Sequence, residues 1–191
     1  MLWIVIIMLV LALAFARACA LSTKKKGKRG EKHIQKLLSK LPENEYTTFN
    51  DVVLKTAHGT TQIDHIVVSK YGVFVIETKN YRGDIFGNDD CQEWKQIIKT
   101  DVTFRSNLWK TYTYIKKSEL YNPIFQSLGH EAQVRRILKH FPYANIISIV
   151  VFSDQANLSG VHSSHHVINA CQLLDCIRSY IIPYISEKDL T

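Results

Sequence analysis

Cysteine is scarce in this chain, and Cys19, Cys91, Cys171 and Cys176 form neither a Cys-x-x-Cys pair nor a His/Cys metal spacing. Those absences exclude a zinc finger and a disulfide framework, and they suit a reducing cytosol. No internal repeat is present, so a solenoid array is excluded. With 46% hydrophobic and 21% charged residues the chain is not a disordered one either. The most informative absence is acid: residues 1–29 hold Arg17, Lys24, Lys25, Lys26, Lys28 and Arg29 but no Asp or Glu. The whole chain has 24 Lys and Arg against 17 Asp and Glu, a net +7, so removing those six leaves 18 basic side chains against 17 acidic. A basic chain usually points to nucleic acid or an anionic membrane. Here the excess sits in the tail, and net charge gives no argument for a DNA-binding domain.

From Leu2 to Ala16 there is no charged side chain, and the apolar character resumes after Arg17 as far as Leu21. About twenty such residues make roughly 30 Å of helix, the thickness of a bilayer core. Residues 1–22 are therefore expected to form one transmembrane anchor, with Trp3 at one interface and Arg17 able to snorkel at the other. The block Lys24 to Arg29 follows at once, within a basic juxtamembrane linker at 23–29. It predicts contact with anionic lipid and, by the positive-inside rule, a cytoplasmic domain on a single-pass protein of the cell membrane. A cleaved signal peptide competes, because Ala16-Arg17-Ala18 and Ala18-Cys19-Ala20 resemble cleavage sites. No basic n-region precedes the apolar run, however, and the basic block after it opposes export.

Beyond the tail, Ile34, Leu37, Leu38 and Leu41 recur at helical spacing and predict a helix over residues 30–41, stopped by Pro42. Tyr46 to Lys55, Thr61 to Ser69 and Val73 to Lys79 read as a β-meander with a buried middle. The stretch from Trp94 to Lys117 mixes aromatics with lysines. It reads as strands with one buried and one wet face, the alternative being phosphate contacts and a stacking platform for single strands. Asn122-Pro123 opens a helix running to about His140. Ala144 to Phe152 is a buried strand, a loop rich in Ser, Gly and His follows, and Asn169 to Ile182 is a closing helix. The order predicts a mixed α/β fold.

Chemistry concentrates at Asp64 on one expected strand and Glu77-Thr78-Lys79 at the end of the next. An antiparallel pair brings these positions together, and two residues apart on a strand puts Glu77 and Lys79 on one face. Carboxylate oxygens of this kind hold Mg²⁺, while a lysine orients or deprotonates a water or neutralises a phosphate. On spacing alone a second reading stands beside this one, a salt bridge at a strand end. His65 neighbours Asp64 and should face the other way, into packing. Asn80 and Tyr81 follow where the strand leaves the sheet, placed for a turn or for a backbone contact. His162, His165 and His166 lack paired metal spacing and read as solvated.

Taken together, Gly30-Glu31, Gln62-Ile63-Asp64-His65-Ile66-Val67-Val68, Gly72 through Tyr81, and Asn122-Pro123 with Gln126 resemble the nuclease-related domain. That domain belongs to the PD-(D/E)xK, restriction-endonuclease-like superfamily, and the resemblance covers roughly residues 27–142. A membrane anchor ahead of the domain also resembles some bacterial members. The resemblance implies a four-stranded mixed sheet flanked by helices, with Glu31, Asp64, Glu77 and Lys79 at the site. Gln126 would face the same cleft, and Asp64, Glu77 and Glu31 would hold Mg²⁺ or Mn²⁺. It implies phosphodiester hydrolysis of nucleic acid, DNA first, by a domain at 30–142 that residues 143–191 complete. The alternative it leaves is a binding or interaction module that keeps the fold without cutting.

Overall fold

The computed structural model describes residues 25–57, 59–103 and 111–184. The expected membrane helix and Lys24 lie outside the described residues. Among those described, no helix is long and apolar enough to cross a membrane. Helix α1 already occupies residues 25–38, so Lys25 to Arg29 are helical and the start at residue 30 read from the sequence is too late. Apolar periodicity begins only at Ile34, whereas the basic residues before it form helix well without leaving an apolar trace. Ile34 and Leu38 of α1 are buried, and the chain turns at Pro42 into the first strand.

Strands β1 (Tyr46–Thr56), β2 (Gly59–Ser69) and β3 (Gly72–Lys79) form the expected antiparallel meander. The tight β2–β3 turn depends on Gly72, whose φ is 150° and whose missing Cβ would stand 2.7 Å from the Asn145 carbonyl oxygen. Strands β4 (Gly83–Asn88), β5 (Glu93–Thr103) and β6 (Thr111–Tyr121) follow, then helix α2 (Pro123–Ile137). Strand β7 (Ile146–Phe152) returns parallel to β3. The segment read as a Ser/Gly/His loop is instead two strands, β8 (Ala156–His162) and β9 (His166–Asn169). The closing helix is also shorter than expected, a 3-10 turn at Ala170–Gln172 followed by α3 (Leu173–Arg178).

The strands build two mixed sheets, ordered β1-β2-β3-β7-β9 and β6-β5-β4-β8. The single four-stranded sheet implied by the resemblance is thus too small, because short polar strands such as β8 and β9 carry little apolar signal. Strand β3 is buried on both faces, as a strand in a parallel pair between two helices must be. Phe74 and Ile76 join Ile34 and Leu38 of α1, while Val73 and Val75 cluster with Val134 of α2. A third cluster ties the sheets together, with the Trp94 ring stacked 6.2 Å from that of Phe152. Parity along β3 then fixes the side on which chemistry can occur: Glu77 and Lys79 continue the Val73 and Val75 row toward α2.

Candidate active site

The β2–β3 ladder ends at His65 opposite Ile76, so Asp64 and Glu77 stand side by side just beyond it. Asp64 accepts a hydrogen bond from the Thr78 backbone N–H at 2.8 Å. Across the strand end, Lys79 Nζ donates to Glu77 Oε1 and to Gln126 Oε1, both at 2.8 Å. Gln126 is delivered by the first turns of α2, whose start is fixed by Asn122. That side chain accepts from the Ile124 N–H at 3.0 Å and donates 2.7 Å to the Cys91 carbonyl. Pro123 at the first helical position needs no N–H partner.

Glu77 is the most buried charge of the group at 3% exposure. Burial alone would raise its carboxyl, but the His130 and Lys79 side chains beside it more than offset this and hold it below the usual carboxylate range. His130 Nδ1 lies 3.4 Å from Glu77 Oε2, at ion-pair distance but without the alignment of a hydrogen bond, so both atoms remain without one. Asp64 behaves oppositely. Burial first and the Glu77 charge second push it up to about 7, against the lowering pull of the Thr78 N–H and Lys79.

Glu31, on the second turn of α1, is raised by burial and by the charges of Asp51 and Glu77, and its own charge acts on Asp64. It makes no hydrogen bond or ion pair to either carboxylate among the described residues. The structure therefore brings Asp64, Glu77, Lys79 and Gln126 into one cluster and sets Glu31 beside it within electrostatic range. Among the described residues no group of three or more His, Cys, Asp or Glu side chains converges as a ready metal shell. The donor set still fits Mg²⁺, which is held through one or two carboxylates and keeps its waters. Glu77 Oε2 is a buried oxygen with no hydrogen bond, and Asp64 faces a second carboxylate that a cation would neutralise.

Two neighbours escaped the reading of the sequence. His130 sits four residues after Gln126 and hence on the same face of α2, a spacing that was available to find it. Asp51 interrupts β1 with φ 53°, between the pairs Asn50–His65 and Val52–Ile63, which sets it against Asp64. It accepts from Gln62 Nε2 at 2.9 Å. An Asn-Asp pair inside a strand-forming run was its only signal. His65 packs as expected, buried, with Nδ1 2.7 Å from Asn50 Oδ1. Asn80 ties the end of β3 to α1 by donating 2.7 Å to the Lys26 carbonyl, and Ser153 Oγ caps the Tyr81 carbonyl. His166 bonds the Tyr180 hydroxyl at 2.8 Å, and Cys171 is exposed.

A mixed α/β fold with two carboxylates and a lysine converging at adjoining strand ends puts the chain in the nuclease-like class. The sequence matches the nuclease-related domain over residues 26–153, a span holding all five expected site residues, and the chain belongs to that family. It is 38% identical over 159 residues to Uncharacterized protein pXO1-01 of Bacillus anthracis, covering 81% of this chain and 67% of that one. No solved structure matches the chain.

Proposed function

We propose that this protein is a metal-dependent nuclease that hydrolyses phosphodiester bonds, acting on DNA at the cytoplasmic face of the membrane. The observation that carries the reading is the meeting of Asp64, buried Glu77 and Lys79 at one strand end, with Gln126 of α2 closing on the lysine. Asp64 and Glu77, with Glu31 beside them, would hold Mg²⁺ or Mn²⁺. A bound cation supplies positive charge against the charge that builds on the phosphate oxygens. Lys79 has three N–H donors, of which Glu77 and Gln126 take two. The third is left for a phosphate oxygen or for the attacking water. Gln126 fixes the ammonium in that orientation. Residues 2–21 supply the membrane anchor, and Lys24 to Arg29 the contact with anionic lipid.

One observation favours a second reading, a binding module that keeps the fold without turnover. Lys79 is engaged by protein partners, and both Glu77 oxygens already face cationic or ionisable groups. The assay that separates the two is cleavage of plasmid and single-stranded DNA by the full chain with Mg²⁺ or Mn²⁺, beside Asp64→Ala and Lys79→Ala. The nuclease reading expects cleavage by the natural chain and its loss in both variants. Cleavage that survives both substitutions overturns the assigned site, and binding without any cleavage establishes the module.

A further inference from the structure

Beside the strand end that carries Lys79 runs a trough of about 500 Å³ whose cations come from three separate parts of the chain. Lys26 enters from α1, Arg82 from the β3–β4 link, and Tyr114 and Lys116 from β6. All four are exposed, Tyr114 by 64%. No acidic side chain lines the trough, and none of its three cations has a carboxylate within 4.0 Å among the described residues. Arg82 and Lys116, from a part of the chain that is near neutral overall, thus converge with Lys26 of the basic segment to form a local anion site.

The hairpin gives the trough a second chemistry. Tyr114 and Lys116 are two residues apart on β6 and so share a face, and their cross-strand partners Thr100 and Ile98 form the floor. An aromatic ring and an ammonium are thus presented side by side, matching the base and phosphate of one nucleotide. Gln155 lines this trough and also the neighbouring cleft of about 270 Å³, whose walls include Arg29, Thr78 and Lys79. The two depressions thus adjoin at Gln155, with Asp154 in the lining of the second.

We infer that this trough is the binding track for an unpaired nucleic-acid strand, with Lys26, Arg82 and Lys116 on its phosphates and Tyr114 stacked on a base. The inference rests on the nuclease reading for the identity of the ligand and narrows it to single-stranded or locally melted substrate. A base inside a duplex has both faces covered by its neighbours and offers nothing to Tyr114. An unpaired base offers a face whatever its sequence.

The test is the affinity of the full chain in detergent for a fluorescent DNA oligonucleotide, single-stranded or annealed to its complement, across a salt series in EDTA. The single strand should bind more tightly than the duplex. Tyr114→Ala should weaken single-strand binding roughly tenfold, the scale of one stacked base, and leave duplex binding within about twofold. Arg82→Gln with Lys116→Gln should reduce the slope of log K against log salt by about 1.4 for the single strand, two phosphate contacts' worth. Matched thermal melts by circular dichroism establish that the variants fold. A preference for duplex, an unchanged slope, or equal losses on both ligands with Tyr114→Ala overturns the track. Because the measurement needs no cleavage, a chain that binds through these residues but never cuts overturns only the nuclease reading. A chain that cuts while indifferent to these substitutions overturns only the track.

Discussion

Glu77 holds a negative charge at 3% exposure because Lys79 stands against one of its oxygens and His130 against the other. Removing one partner of such a pair costs more than the pair itself contributes, since the remaining charge stays desolvated. Lys79→Met should therefore lower unfolding free energy by about 3 kcal/mol in urea titrations at neutral pH. Adding Glu77→Gln should recover most of that loss, and a double variant no better than the single would refute the pairing. Asp64 and His65 supply the pH dependence. Asp64 is raised from 3.8 to about 7, so in metal-free protein its contribution is full below pH 4 and is lost as pH rises through 7. His65, desolvated, is lowered from 6.5 to about 4; its contribution is present above 6.5 and is lost as pH falls through 4. The two slopes oppose each other across the shared window, so the natural chain should be nearly flat there. Asp64→Asn should expose the acid-side loss, and parallel curves for the two proteins would sink the assignment.

Two helical glycines separate what a helix prefers from what its neighbours allow. A Cβ on Gly30 would stand 2.7 Å from the Cβ of Asn80, the residue that ties β3 to α1. Gly129, in α2, has nothing within 4 Å. Gly129→Ala should raise stability by about 0.5–1 kcal/mol through helix propensity alone. Gly30→Ala should lower it by about 1–3 kcal/mol as α1 is pushed off the strand end. Differential scanning calorimetry of the pair checks both signs, and a stabilising Gly30→Ala would mean that α1 docks only loosely on β3. The elements themselves were unequally legible. The start of α2 was plain because Asn122-Pro123 is a local chemical signal, and β3 was plain because a short β-branched apolar run between a Gly turn and a charged end suits a buried strand. Strands β8 and β9 were missed because they are short, flank the Ser163-Ser164-His165 run and lie at sheet edges, where pairing and not burial makes the strand.

Over the whole molecule the charge is strongly segregated. Nearly all the excess lies in residues 1–29, yet Lys25 to Arg29 belong to α1 and not to a free linker, and Lys26 turns toward the trough. One basic segment thus borders both the proposed anchor and the proposed substrate track. Deleting residues 1–24 should release the chain from bacterial membranes into the soluble fraction while leaving its thermal melt unchanged. Retention of the shortened chain on carbonate-washed membranes would count against the anchor. The placement also explains why net charge was a poor guide to partners: Arg82 and Lys116 disappear among the 18 basic and 17 acidic side chains of residues 30–191.

The family, the meander, the helix that delivers Gln126, and the pairing of Asp64 with Glu77 and Lys79 were legible in the residues alone. These are set by short-range rules of strand parity, turn chemistry and helix capping, and they leave their marks within a few residues. Packing between distant segments is what brings His130 and Asp51 to the border of the site and sets Glu31 beside the pair without a hydrogen bond to either carboxylate. It also brings Lys26, Arg82 and Lys116 together in one trough. Each of these is a contact between segments far apart in the chain, and its geometry depends on how α1, α2 and the second sheet pack around β3. No local pattern encodes that distance.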